Sequence, residues 1–130
     1  MISREVCAAQ ARALHAHPGV RRVIFAGADG IPHVDDGVLE DRERAAAAAA
    51  TLAGVALLFA RGLGLDDPEG TVIYGGDQQA ITRVIDEDLL LVVLADAGER
   101  GTGVYRAVRR VARTLAEASH AAPSVTATSR

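Results

Sequence analysis

Hydrophobic and polar positions divide this 130-residue chain into three helical stretches and five extended ones. Ser3 is placed to cap a first helix, SREVCAAQARALHAH, with Val6, Ala9, Ala13 and Leu14 near one face and Pro18-Gly19 as its stop. Val20 to Ala28 is β-rich and apolar on both alternating faces from Val23 to Ala26, which predicts a covered inner strand. Asp29-Gly30 signals a turn into a second strand, about Ile31 to Val34, and Pro32, with no N–H to donate, puts that strand at a sheet edge. A long alanine-rich helix opens in the acidic stretch around Asp41 and closes at Gly62 or Gly64, with Asp67-Pro68 beyond it. Three strands follow: TVIYG from Thr71, AITRVID from Ala80 and LLLVVLA from Leu89. The last is a Leu/Val run bounded by charge and reads as a central strand covered on both faces. Finally VYRAVRRVARTLAEA sets Val104, Ala107, Val108, Val111, Ala112 and Leu115 on one side and four arginines largely on the other.

The order α-β-β-α-β-β-β-α, with short hairpins inside each β group, predicts an α/β domain of three layers around a mixed or mainly antiparallel sheet. The domain spans residues 1–120. Residues 121–130, small, polar and interrupted by Pro123, read as a flexible tail.

The alanine helix has two faces to assign. Ala45, Ala48, Leu52, Val55, Ala56 and Phe59 share a sector suited to cover the chain's own sheet. Glu43, Ala47, Ala50, Gly54, Leu57 and Arg61 are spaced 4, 3, 4, 3, 4, the pattern of a seam against a second helix. A two-fold axis at position 52 sets Ala50 against Gly54 of a copy, Ala47 against Leu57 and Glu43 against Arg61, so size and charge match. This predicts an isologous homodimer through an antiparallel helix pair.

Composition narrows the function. The net charge is −3, with two Tyr, two Phe and no Trp, which offers neither a basic field nor stacking platforms for nucleic acid. All 14 basic side chains are arginine, so Walker-loop phosphate binding and amine-based Schiff-base chemistry are excluded. Cys7, the single thiol, forms no intrachain disulfide, which fits a reducing cytoplasm. The N-terminal residues lack the apolar core and cleavage site of a signal peptide. The uncharged run Ala45 to Ala60 is short and weakly apolar for a membrane span, so no transmembrane segment is expected.

No candidate site rises to catalysis. Gly98 to Gly103 lies between strand and helix, but reads G-x-x-G-x-G with Glu99 inside it, so it is expected to be a plain loop. His15 and His17 diverge on a helix, and His33 beside Asp35 and Asp36 is explained by turn chemistry, so no metal is expected. The acidic groups Asp66, Asp67, Glu69 and Asp86, Glu87, Asp88 fall in turns with no nucleophile or base beside them. Arg106, Arg109, Arg110 and Arg113 could meet an acidic partner, but form the ordinary polar face of an amphipathic helix. No cofactor is expected.

Taken together, PGVRRVIFAGADGIPHVDDG, the small-residue helix DRERAAAAAATLAGVALLFARGLG, GTVIYGGDQQAITRVIDEDLLLVVLADAG and GTGVYRAVRRVARTLAEA resemble the Roadblock/dynein-light-chain family, especially its bacterial members, over roughly residues 3 to 118. The resemblance implies a five-stranded antiparallel sheet between one central helix and two terminal helices. It also implies dimers that join edge strands and pair the central helices antiparallel, the edge strand here being Thr71, Val72, Ile73 and Tyr74. Such modules have no catalytic site and regulate small Ras-like GTPases, so the implied partners are a second copy, a GTPase and a sensor kinase or scaffold in the same complex. The implied place is the cytoplasm, with recruitment to the membrane through partners. The rival expectation is a ligand-sensing layered α/β domain holding a small molecule between sheet and helix, against which the scarcity of aromatics argues.

Overall fold

The computed structural model describes residues 2–128, with side chains described for residues 2–120. Its elements are α1 (Arg4–His15), β1 (Val20–Gly27), β2 (Pro32–Asp35), α2 (Leu39–Gly62), β3 (Gly70–Gly75), β4 (Gln78–Val84), β5 (Leu89–Asp96) and α3 (Val104–Thr128), with a 3-10 turn at Gly98–Gly101. One five-stranded sheet runs in the order β2-β1-β5-β4-β3, antiparallel at every pairing. β5, the Leu/Val run, is therefore central, β2 with its Pro32 is one edge, and β3 is the other. The expected flexible tail, residues 121–130, lies outside the residues whose side chains are described.

Alternation along the strands divides the core in two. Val23, Phe25, Ile81, Leu91, Val93 and Ala95 face α1 and α3, which bury Cys7, Ala11, Leu14 and Val104, Val108, Ala112, Leu115 against them. Ser3 caps α1 as expected, accepting the Val6 N–H at 3.2 Å. The buried stripe of α1 differs from the expected one: Cys7 and Ala11 join Leu14 inward, while Val6, Ala9 and Ala13 are exposed. Burial, followed by the charge of Asp86, pushes the Cys7 thiol up to about 11, so it stays protonated at neutral pH.

The other sheet face carries a much thinner core. Ile24, Ala26 and Val92 meet Ala46, with Ala45 and Ala49 packed beside it. Here the sequence reading of α2 is corrected. Its inward stripe is Ala46, Ala49, Ala53, Ala56 and Ala60, not Leu52, Val55 and Phe59; Val55 is 56% exposed and Phe59 68%. α2 is apolar almost all round, so periodicity alone could not choose a face, and the sheet selects the one that permits closest approach.

A polar clasp holds the start of α2. Asp35 on β2 accepts two hydrogen bonds from Arg22 on β1, at 2.9 and 2.6 Å, and one from the Gly37 N–H at 3.0 Å. Arg42 on α2 donates in turn to the Gly37 carbonyl. The Asp35 side chain is fully buried. Burial alone would raise its pKa, but the Arg22 hydrogen bonds, the Gly37 N–H and the charges of Arg22 and Arg42 outweigh it and hold the carboxyl below the usual range.

Two outcomes are expected. Ala46→Leu, which forces a larger side chain between α2 and the sheet, should lower unfolding free energy in urea by about 1–3 kcal/mol. Asp35→Asn should lower it by about 2 kcal/mol near neutral pH, because a buried charge-assisted pair is broken. The folded-state pKa of Asp35 is depressed, so its contribution is complete above its ordinary value of 3.8 and is lost as pH falls through the lower folded value. The variant should therefore show a smaller loss of stability between pH 5 and pH 2 than the parent, which equilibrium unfolding at each pH would measure.

Candidate interaction surface

α2, the turn after it and β3 carry eight of the thirteen large apolar side chains that are exposed among the described residues. On α2 these are Leu39, Val55, Leu58 and Phe59, with Leu63 and Leu65 just beyond it; Leu58 is 70% exposed. On β3 they are Ile73 and Tyr74, the latter 71% exposed. Isolated exposed leucines need no explanation, but Val55, Phe59 and Ile73 all lie on the α2 side of the sheet, where a large exposed apolar patch marks a surface suited to be covered, while Tyr74 points to the opposite face.

The helix crosses the sheet on a diagonal. Its first turns sit near Arg22 through the Arg42–Gly37 contact, and its later alanines, Ala53 and Ala56, lie over Gly70, Thr71 and Val84 at the far edge. One flank, with Ala48 and Leu52, borders a shallow apolar groove floored by Ala80, Thr82, Val92 and Leu94, and Val55 and Phe59 continue that flank. The opposite flank, with Ala50, Gly54 and Leu57, borders a second groove toward Ala28, Val84 and Leu90. The part of the sheet around Ala80, Leu94 and Ile73 is left without a helix over it.

The expected seam lies on that opposite flank. Glu43, Ala47, Gly54 and Arg61 are exposed, Ala50 and Leu57 are half-buried, and a Cβ added at Gly54 would meet nothing within 4 Å. Arg61 lies 3.8 Å from Asp67 of its own chain. The edge set is placed as expected: Thr71, Val72, Ile73 and Tyr74 lie on β3, the outer strand. The signal that sequence reasoning missed is Leu58, Leu63, Leu65 and Val84, whose exposure depends on where the helix lies and not on local pattern.

The remaining candidates resolve into structure. Asp35 is bound by Arg22, His15 Nε2 lies 3.3 Å from Asp36, and among the described residues no three His, Cys, Asp or Glu side chains gather as metal ligands. Gly101 is buried, and a Cβ there would collide with the Asp96 carbonyl, so the glycine loop serves close packing at the start of α3. Arg106, Arg109, Arg110 and Arg113 are exposed along α3. The space directly beneath α2 is about 20 Å³, room for one water and not for a metabolite.

No protein-family model matches the sequence, and no curated protein matches it. Solved structures do match. The gliding protein MglB of Thermus thermophilus aligns with a TM-score of 0.77 at 18% identity, over 90% of this chain and 92% of that one. An MglB in a tetrameric arrangement gives 0.76 at 19% identity, over 90% and 91%. The Roadblock/LC7 domain from Streptomyces avermitilis gives 0.72 at 15% identity, over 82% and 91%. The chain has the Roadblock/LC7 fold.

In this Roadblock-fold chain α2 is long and apolar enough to cross a membrane by length and composition, and only 11% of its most apolar window is buried. Its neighbours in sequence, β2 and β3, belong to one sheet, and its alanine stripe lies on that sheet. The outward apolar residues are therefore a lateral surface of the Roadblock fold. Iodide quenching offers a direct check on β3: with Tyr105→Phe, Tyr74 becomes the only tyrosine of a chain without tryptophan, and its emission should be strongly quenched in dilute protein and protected as concentration rises.

Proposed function

We propose that the chain is a non-catalytic, homodimeric Roadblock module that binds and regulates a small Ras-like GTPase in the cytoplasm. The observation that carries this reading is the uncovered apolar flank of α2 beside the unpaired edge of β3, on a fold shared with MglB. The two elements face the same neighbour. The tetrameric arrangement described for one MglB supports assembly between copies, and the family resemblance of the sequence supports a GTPase as the further partner.

The geometry favours one flank of α2 for the helix pair. A two-fold axis through the β3 edge reverses the partner, so the partner's diagonal helix enters over the opposite end of the strands, above Ile73, Ala80 and Leu94. It then lies beside Leu52, Val55 and Phe59, leaving Glu43, Ala47, Ala50, Gly54, Leu57 and Arg61 on the far side. Sedimentation of two variants decides between the flanks. Phe59→Asp should weaken the dimer by about 10- to 100-fold, the loss of one buried aromatic. Gly54→Trp should leave it intact; a monomer from Gly54→Trp with an unaffected Phe59→Asp would restore the other seam.

The GTPase is tested by pull-down with small GTPases of the same cell loaded with GDP or a GTP analogue. Retention that depends on the nucleotide is expected. No retention in either state, together with a small molecule carried through purification, would favour a ligand-sensing domain.

A further inference from the structure

A second groove lies on the other side of the β3 edge, under α3. It has a volume of about 430 Å³, and its walls include Gly70, Val72, Arg83, Tyr105 and Arg109, with Asp67 and Glu69 at its mouth. Arg83 is the unusual member. Its side chain is only 14% exposed, its Nη2 reaches Glu69 at 3.2 Å, and its buried Nε–H has no hydrogen-bond partner. A buried guanidinium N–H left unpaired is costly, which makes Arg83 a strained member of the groove wall.

Arg83 lies across a strand position that has no side chain. Gly70 is paired with Arg83 in the ladder, and a Cβ at Gly70 would come within 2.8 Å of the Arg83 Cδ. On the outer side of Gly70 the edge is open. Glu69 accepts the Val84 N–H at 2.9 Å, so odd-numbered positions of β3 direct their N–H and C=O groups to β4. Antiparallel alternation then leaves those of Gly70, Val72 and Tyr74 free at the edge. Val72 packs into the core on the α3 side, so Gly70 and Tyr74 face that side too.

We propose that this groove holds Tyr74 of a second copy, brought there by antiparallel β3–β3 pairing in the register that sets Tyr74 opposite Gly70. The inference rests on the homodimer reading and deepens it. Two requirements fix the possibilities for pairing: hydrogen-bonding positions must meet each other, and the α3 side of one sheet must continue as the α3 side of the next. Both are met only when even-numbered positions face even-numbered ones. Among these registers, the one that opposes Tyr74 and Gly70 puts the largest exposed side chain of the edge over the one position on that face without a side chain, the arrangement by which aromatics shield edge glycines. The ring then has one strand spacing to cross, about 4.8 Å, to reach the Arg83 side chain, whose Cδ lies beside Gly70. Its face supplies the cation with a π partner, and its hydroxyl ends among Arg109, Asp67 and Glu69, where hydrogen bonds are available. By symmetry the contact is made twice.

Cross-linking and a double-mutant cycle test this. In the proposed register Val72 faces its own counterpart at a spacing a disulfide can bridge, so Val72→Cys should link two copies under mild oxidation, the native Cys7 being buried. Preferential linking of Ile73→Cys would overturn the register. In sedimentation Tyr74→Ala should raise the dimer dissociation constant about tenfold and Tyr74→Phe by less than about twofold. In an Arg83→Met background the Tyr74→Ala loss should largely vanish; an equal loss in both backgrounds would overturn the contact. If Arg83→Met does not fold, Arg109→Met gives a second cycle from α3. A parent chain that stays monomeric at every concentration overturns the dimer itself. A chain that links at Val72 yet is indifferent to Tyr74→Ala overturns only the groove.

Discussion

The close approach of an alanine stripe to a sheet is the constraint from which the rest follows. Ala46, Ala49, Ala53, Ala56 and Ala60 let α2 lie low on Ile24, Ala26 and Val92, but methyl groups bury little area and hold the helix weakly. The Arg22–Asp35–Gly37–Arg42 clasp therefore anchors its start, and the large side chains of α2 are left on the outside. A helix that gave its leucines to its own sheet would be a better monomer and a poorer partner.

The two sides of the sheet thus have different tasks. The α1/α3 side contains the main core, with Phe25, Ile81, Leu91 and Leu115 fully or almost fully buried, and it can hold the fold on its own account. The α2 side has a much smaller core, built from Ile24, Ala26, Ala46 and Val92. The main core lies on the α1/α3 side, so the large exposed side chains of α2 can be changed without emptying it.

Much of the architecture was legible in the sequence. Element order, the Ser3 cap, the edge position forced by Pro32 and the central Leu/Val strand follow from local chemistry, and local chemistry decides them. The amphipathic face of α3 was equally readable because its arginines mark the outside. α2 was not, since nothing charged marks a side between Arg44 and Arg61, and the face that meets the sheet is set by how near the strands allow it to come. On α1 Cys7 and Ala11 turn inward with Leu14, and Val6, Ala9 and Ala13 lie outside. The edge set on β3 was found through resemblance; the groove beneath α3 joins residues from β3, β4 and α3, and no one segment carries its signature.

One consequence of the topology concerns inheritance. Leu39 to Gly75 holds α2, its connecting loop and β3 in a single uninterrupted stretch, while the principal core is supplied by segments before and after it. A recombination or drift event confined to that stretch would exchange the exposed apolar face of α2 and the β3 edge together and leave the principal core in place. That face and that edge can change as a cassette.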